Sequence, residues 1–96
     1  MRVQLLGKRW LLKFVPTLSE DKLADCDAPS TTGKKIRIRS TLRGEKRLAT
    51  LIHEMLHAVN WHFDEEFVQE ASTDIAHVLW QLGYRQKRKK ELDPAE

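Results

Sequence analysis

The stretch Leu48-Ala-Thr-Leu-Ile-His-Glu-Met-Leu-His-Ala-Val-Asn60 decides how this chain is read. Leu48, Leu51, Ile52, Met55, Leu56 and Val59 recur at three- and four-residue steps, the mark of one buried helix face. His53 and His57 lie off that stripe. Side chains four apart on a helix have Cβ atoms about 5–6 Å apart, so each histidine can offer one nitrogen to a single metal ion. Glu54 falls next round the helix, where it can reach a water on the ion without being a ligand itself. The bland alternative is a chance grouping on the polar side of an amphipathic helix. The mid-helix position, in the groove between core and solvent, favours a metal site.

Outward from this stretch, composition sets limits. A chain of 96 residues is read as one domain over residues 1–84, with a basic, disordered tail over 85–96. Such a domain is near the lower end of what folds alone, and a bound metal would add to its stability. Cys26 is the only cysteine, which excludes an intrachain disulfide and a cysteine-based zinc knuckle and fits a reducing compartment. The apolar run Val3 to Leu6 is stopped by Gly7-Lys8-Arg9, too short for a signal segment or a membrane span, so a cytoplasmic protein without membrane contact is expected. The net charge of +3 is uneven. Arg85, Lys87, Arg88, Lys89 and Lys90 crowd one short segment, a solvated end in the first reading and a weak contact for nucleic acid in the second.

The two apolar runs Val3–Leu6 and Trp10–Val15 suggest a hairpin or two successive strands, ended by Pro16. Residues 17–33 read mostly as loop, with a helical turn at 19–24 and Cys26 as a half-buried free thiol. Residues 34–40 alternate Ile36 and Ile38 with Arg37 and Arg39, which suggests an exposed or edge strand open to pairing with a peptide. Ser40 or Thr41 is the expected cap of the motif helix, which starts between Leu42 and Glu45 and ends near Asn60, a residue that tolerates the left-handed conformation. Asp64 caps a second helix with a core stripe of Phe67, Val68, Ala71, Ile75, Val78, Leu79 and Leu82 and a stop at Gly83. The fold class is α+β, a small antiparallel or mixed sheet packed on two main helices.

A catalytic zinc needs a third protein ligand and an open fourth position. With the helices folded back through a short turn, His57 and His53 lie roughly 4.5 and 10 Å before Asn60, and Glu70 roughly 9 Å beyond Asp64. Glu70 is then level with the histidines. Glu66, only about 3 Å into its helix, ranks second. Asp74, one turn beyond Glu70, is placed to accept a hydrogen bond from the other nitrogen of His53.

His53-Glu54-x-x-His57 followed by Glu70-Ala71-Ser72-Thr73-Asp74 resembles the gluzincin-type zincin metallopeptidases, the thermolysin-like group, whose second motif is Asn-Glu-x-x-Ser-Asp. Gln69 stands where that motif has Asn, and Thr73 where it has Ser. Over about residues 39–83 the order of elements is similar to minimal zincin cores such as the small phage and bacterial ImmA/IrrE-like or SprT-like metallopeptidases. The resemblance implies one Zn2+ held by His53, His57 and Glu70, Glu54 as general base, Asp74 as partner of a ligand histidine, and a peptide or protein substrate. Metzincins and YbeY-type RNA endonucleases fit less well, because His62 is one residue out of register with their third histidine.

The expected function is therefore peptide-bond hydrolysis by a zinc-activated water, with Glu54 moving the proton. His77, His62 and Tyr84 are candidate donors to the oxyanion. Two alternatives stand beside it: a non-catalytic, zinc-stabilised binding or regulatory module, and a metal-dependent RNA hydrolase suggested by the tail and His62.

Overall fold

The computed structural model describes residues 1–87, so the basic run from Arg88 onward lies outside the described residues. Four strands, β1 (Arg2–Leu5), β2 (Lys8–Val15), β3 (Ala24–Cys26) and β4 (Lys35–Arg39), precede two helices, α1 (Gly44–Val59) and α2 (Glu65–Gln81). The fold is α+β, with one mixed sheet in the order β1-β2-β4-β3.

The sheet begins with a two-residue hairpin. Leu6 and Gly7 both adopt positive φ, 48° and 74°, the turn geometry that matches the right-handed twist of paired strands. Glycine enters that region freely and leucine does not, so Gly7 makes the turn and Leu6 is carried with it. Val3 then lies opposite Trp10, while the parallel pairing of β2 with β4 sets Leu12 beside Ile36 and Phe14 beside Ile38. This register gathers Trp10, Leu12, Ile36 and Ile38 on one face, where Leu42 and Ala58 complete a buried cluster and Leu51 and Met55 of α1 pack against it. Each such side chain stabilises the fold by roughly 1.5–3 kcal/mol through removal from water.

Two expectations fail between residues 17 and 40. The segment 17–33 holds a single 3-10 turn at Ser19–Asp21, but also strand β3, which pairs antiparallel with β4 and sets Asp25 opposite Arg37. β4 is consequently an inner strand rather than an edge. Its alternating arginines were the misleading signal. Arg37 is satisfied across the ladder, donating from Nη1 to Asp25 Oδ1 at 2.8 Å and to Asp27 Oδ1 at 3.1 Å.

At the start of α1 the cap position belongs to Arg43, without a side-chain bond to the helix. Ser40 is not a cap because its amide still donates to Val15 O, extending the sheet; Thr41 lies two residues before the cap position. At the far end Asn60 is extended, at φ −146°, rather than left-handed. It closes the turn with its side chain instead, Oδ1 accepting from the His62 amide at 3.0 Å. Asp64 caps α2 as expected, Oδ2 accepting from the Phe67 amide at 3.1 Å. Gly83, at φ 93°, ends it.

α2 lies against α1 alone, one layer removed from the sheet. Its buried residues are Val68, Ser72 and Ala76, whereas Phe67, Ile75, Val78 and Leu82 of the expected core stripe are exposed. Small side chains let the two helix axes approach, and the larger ones are turned outward. No described helix is long and apolar enough to cross a membrane.

Candidate metal centre

The antiparallel turn of the chain at residues 60–64 brings the C-terminal half of α1 beside the first turn of α2. His53 Nε2 lies 3.0 Å from Glu65 Oε1, and His57 Nε2 lies 2.9 Å from Glu65 Oε2. The two imidazole rings are 4.9 Å apart and tilted by 66°, so both Nε2 atoms converge on one carboxylate. These three are the group of His, Cys, Asp and Glu side chains among the described residues whose ligand atoms lie within 4.8 Å of one another.

The donor set suits a zinc ion. Two imidazole nitrogens and one carboxylate form a ligand set that leaves the fourth tetrahedral position open. One oxygen of Glu65 lies 3.0 Å from His53 Nε2 and the other 2.9 Å from His57 Nε2, and one ligand atom from each of the three residues lies within 4.8 Å of the others, against about 3.3 Å between ligand atoms on an ion with bonds of about 2.0–2.1 Å. Burial holds the His53 imidazolium below its ordinary range and outweighs the opposing pull of Glu65. A neutral ring keeps the lone pair that coordination requires.

Glu65 takes the place expected for Glu70. The side of α2 that meets α1 is defined by Val68, Ser72 and Ala76, and Glu65 precedes them at helical steps of three, seven and eleven. Glu70 is five residues on, about 140° round the helix from Glu65, and is exposed. Glu66 and Asp74 share that outer side and are also exposed. The axial estimate places Glu70 level with the histidines, whereas the carboxylate that meets both stands five residues earlier, about 7.5 Å before it along the helix. The spacing of Glu65 to the small residues Ser72 and Ala76 is the sequence signal that could have found it.

Glu54 is buried, at 8% exposure, in a helix otherwise facing a cleft at this point. The reason is β3, which packs on α1 and which the sequence reading did not contain. Burial, with the charges of Asp25 and Glu65 nearby and Lys22 opposing them, pushes the Glu54 carboxyl up to about 7. A group poised there can both take and return a proton near neutral pH. The Cys26 thiol is pushed up to about 12 by burial and then by the charges of Glu54, Asp27 and Asp25. It stays protonated and donates to Asp27 O at 3.4 Å.

His53 and Glu54 open onto a cleft of about 500 Å³ between β3 and α2, lined also by Leu23, Ala24, Thr50 and Gln69. Gln69 stands one turn after Glu65 and faces His53, a placement that sequence reading missed. The expected oxyanion donors are elsewhere. His77 lies about 18 Å along α2 from Glu65 and pairs through Nδ1 with Glu45 Oε2 at 3.1 Å. Tyr84 follows α2 and lines a separate pocket with Phe14 and Trp80. His62 is exposed in the turn.

Comparison of the chain with protein-family models, with curated proteins and with solved structures finds no match.

Proposed function

We propose that the chain is a zinc-dependent metallopeptidase in which His53, His57 and Glu65 hold the metal and Glu54 is the general base. The observation that carries this reading is the convergence of both Nε2 atoms on Glu65, 2.9 and 3.0 Å away, with the buried Glu54 carboxyl next to His53 on the cleft that these two residues line. When bound, zinc supplies Lewis acidity that activates water and polarises a carbonyl. Glu54 takes the proton of the attacking water and returns it to the leaving amine. Leu23, Ala24 and Thr50 line the cleft beside that carboxyl.

Metal analysis of the protein purified without added zinc tests the site, and a peptide library tests the chemistry. One zinc per chain, lost in His53→Ala and in Glu65→Ala, is the expected result. Glu54→Gln keeps the metal and stops turnover. If Glu54→Gln changes neither metal content nor function, the histidines serve a non-catalytic, metal-stabilised module instead. A chain that neither retains zinc nor gains stability from it overturns the metal centre.

A further inference from the structure

The sheet has two faces, and among the described residues a helix covers only one of them. Register places Arg2 beside Leu11 and Gln4 beside Arg9, Leu11 beside Lys35, Lys13 beside Arg37 and Val15 beside Arg39. All of these point away from α1, because their neighbours Val3, Trp10, Leu12, Ile36 and Ile38 form the core side. The face away from α1 therefore carries Arg2, Arg9, Lys13, Lys35, Arg37 and Arg39 against two carboxylates, Asp25 of the ladder and the adjacent Asp27. The whole chain has a net charge of only +3, so cations are concentrated here and carboxylates on the helix side.

Arg37 is neutralised by Asp25 and Asp27. The others, Arg2, Arg9, Lys13, Lys35 and Arg39, are not among the ion pairs of the described residues, which involve Arg37, His53, His57 and His77. Arg39 also keeps a shielded Nε that meets no acceptor. Alternate residues along a strand are about 6.6 Å apart and neighbouring strands about 4.8 Å. Five cations thus occupy a patch about 13 Å long and three strands wide.

We infer that this open sheet face binds the phosphate backbone of double-stranded nucleic acid without regard to sequence. Duplex nucleic acid presents one negative charge per about 1.7 Å of axis, so the patch spans enough phosphates to engage every free cation. The face has no aromatic ring on which an unstacked base can rest. Its apolar residues, Leu11 and Val15, are half-buried and offer no protruding wedge for a membrane interface. Base reading and lipid insertion both lack a means, and charge matching is what remains. The inference is independent of the metal centre, which lies on the opposite side of the sheet.

Fluorescence anisotropy with a labelled 20-base-pair duplex, using the full chain at 50 to 200 mM salt, tests it. Five phosphate contacts give a log–log salt slope of about −4.5 and a fall in affinity of roughly 500-fold across that range. The triple variant Arg9→Gln, Lys13→Gln, Lys35→Gln should bring the slope about 2.7 closer to zero with an unchanged circular dichroism spectrum and thermal midpoint. Neutralising Lys87, Arg88, Lys89 and Lys90 instead should leave most of the slope in place. Binding that disappears with the tail charges, or survives intact in the folded triple variant, overturns the assignment. So does tighter binding to vesicles containing phosphatidylserine or to polyglutamate than to the duplex.

Discussion

α1 is held from two sides and α2 from one, and that difference governs what each helix does with its polar residues. α1 is pressed between the sheet and α2, so even a carboxylate on it, Glu54, is buried and its proton affinity raised. α2 touches α1 alone among the described elements; its carboxylates at positions 65, 66, 70 and 74 are all exposed, and of these Glu65 turns its oxygens onto the two histidines. Chemistry that needs desolvation therefore belongs to α1, while α2 contributes a charge delivered at its first turn.

The largest consequence concerns Glu54. With zinc bound, Glu54→Gln should lower peptide turnover about 10³-fold, the middle of what a positioned general base contributes, with zinc content unchanged by mass spectrometry. A variant that keeps more than a tenth of wild-type turnover would show that the buried carboxyl is structural only. The same contrast predicts stability. Ile38→Ala, at the fully buried centre under α1, should cost about 3 kcal/mol in urea unfolding, in keeping with large-to-small changes in close-packed cores.

The buried carboxyl also has a pH signature in the metal-free protein. Its pKa rises from 4.5 in the unfolded chain to about 7 in the fold, so folding favours the protonated form. Its contribution is fully present below about pH 4.5 and is lost as pH rises through about 7, an order of 3 kcal/mol in total. Urea unfolding of metal-free wild type and Glu54→Gln at pH 5 and pH 8 checks this. The variant should gain on the wild type between the two values, and parallel behaviour would show that Glu54 is solvated when the metal is absent.

For the metal itself, Glu65→Ala should weaken zinc binding by at least about 100-fold in a competition titration with a chromophoric chelator, because loss of a direct ligand costs more than the roughly 10–100-fold lost with an outer partner of one. Glu70→Ala should leave it within about 2-fold, as expected of an exposed group outside the ligand set. Reversal of that order would restore the ligand expected from axial height.

The Glu65 and Glu70 pair shows where sequence was sufficient. Local pattern identified α1, its histidine spacing, the Asp64 cap and the Ile36/Ile38 strand, because each depends on contacts within a few residues. It did not identify β3, whose three residues have no apolar run and are held by the Arg37 pairing across the ladder. Without β3 there was no reason for Glu54 to be buried or for β4 to be internal. On α2 the strongest apolar period pointed to the wrong side, because α1 accepts Val68, Ser72 and Ala76 for closeness rather than for hydrophobicity. The carboxylate that meets both histidines stands at helical spacing from that buried side.

That misdirection leaves the smallest effect to test. Phe67, Ile75, Val78 and Leu82 are 51%, 44%, 53% and 70% exposed, and together they form an apolar strip down the outer side of α2. An isolated chain gains little from them, so Val78→Ser should change stability by no more than about 0.5 kcal/mol, as at an ordinary surface position. Phe67 differs from the rest because its ring rests 5.1 Å from that of Phe63 in the turn. Phe67→Ser should therefore cost more than Val78→Ser, by about 1 kcal/mol if the aromatic pair is the cause. Urea unfolding at two protein concentrations separates the origins. A cost for Val78→Ser that grows with concentration would mean that the strip is covered by another copy of the chain in solution, and α2 would then be held from two sides as α1 is.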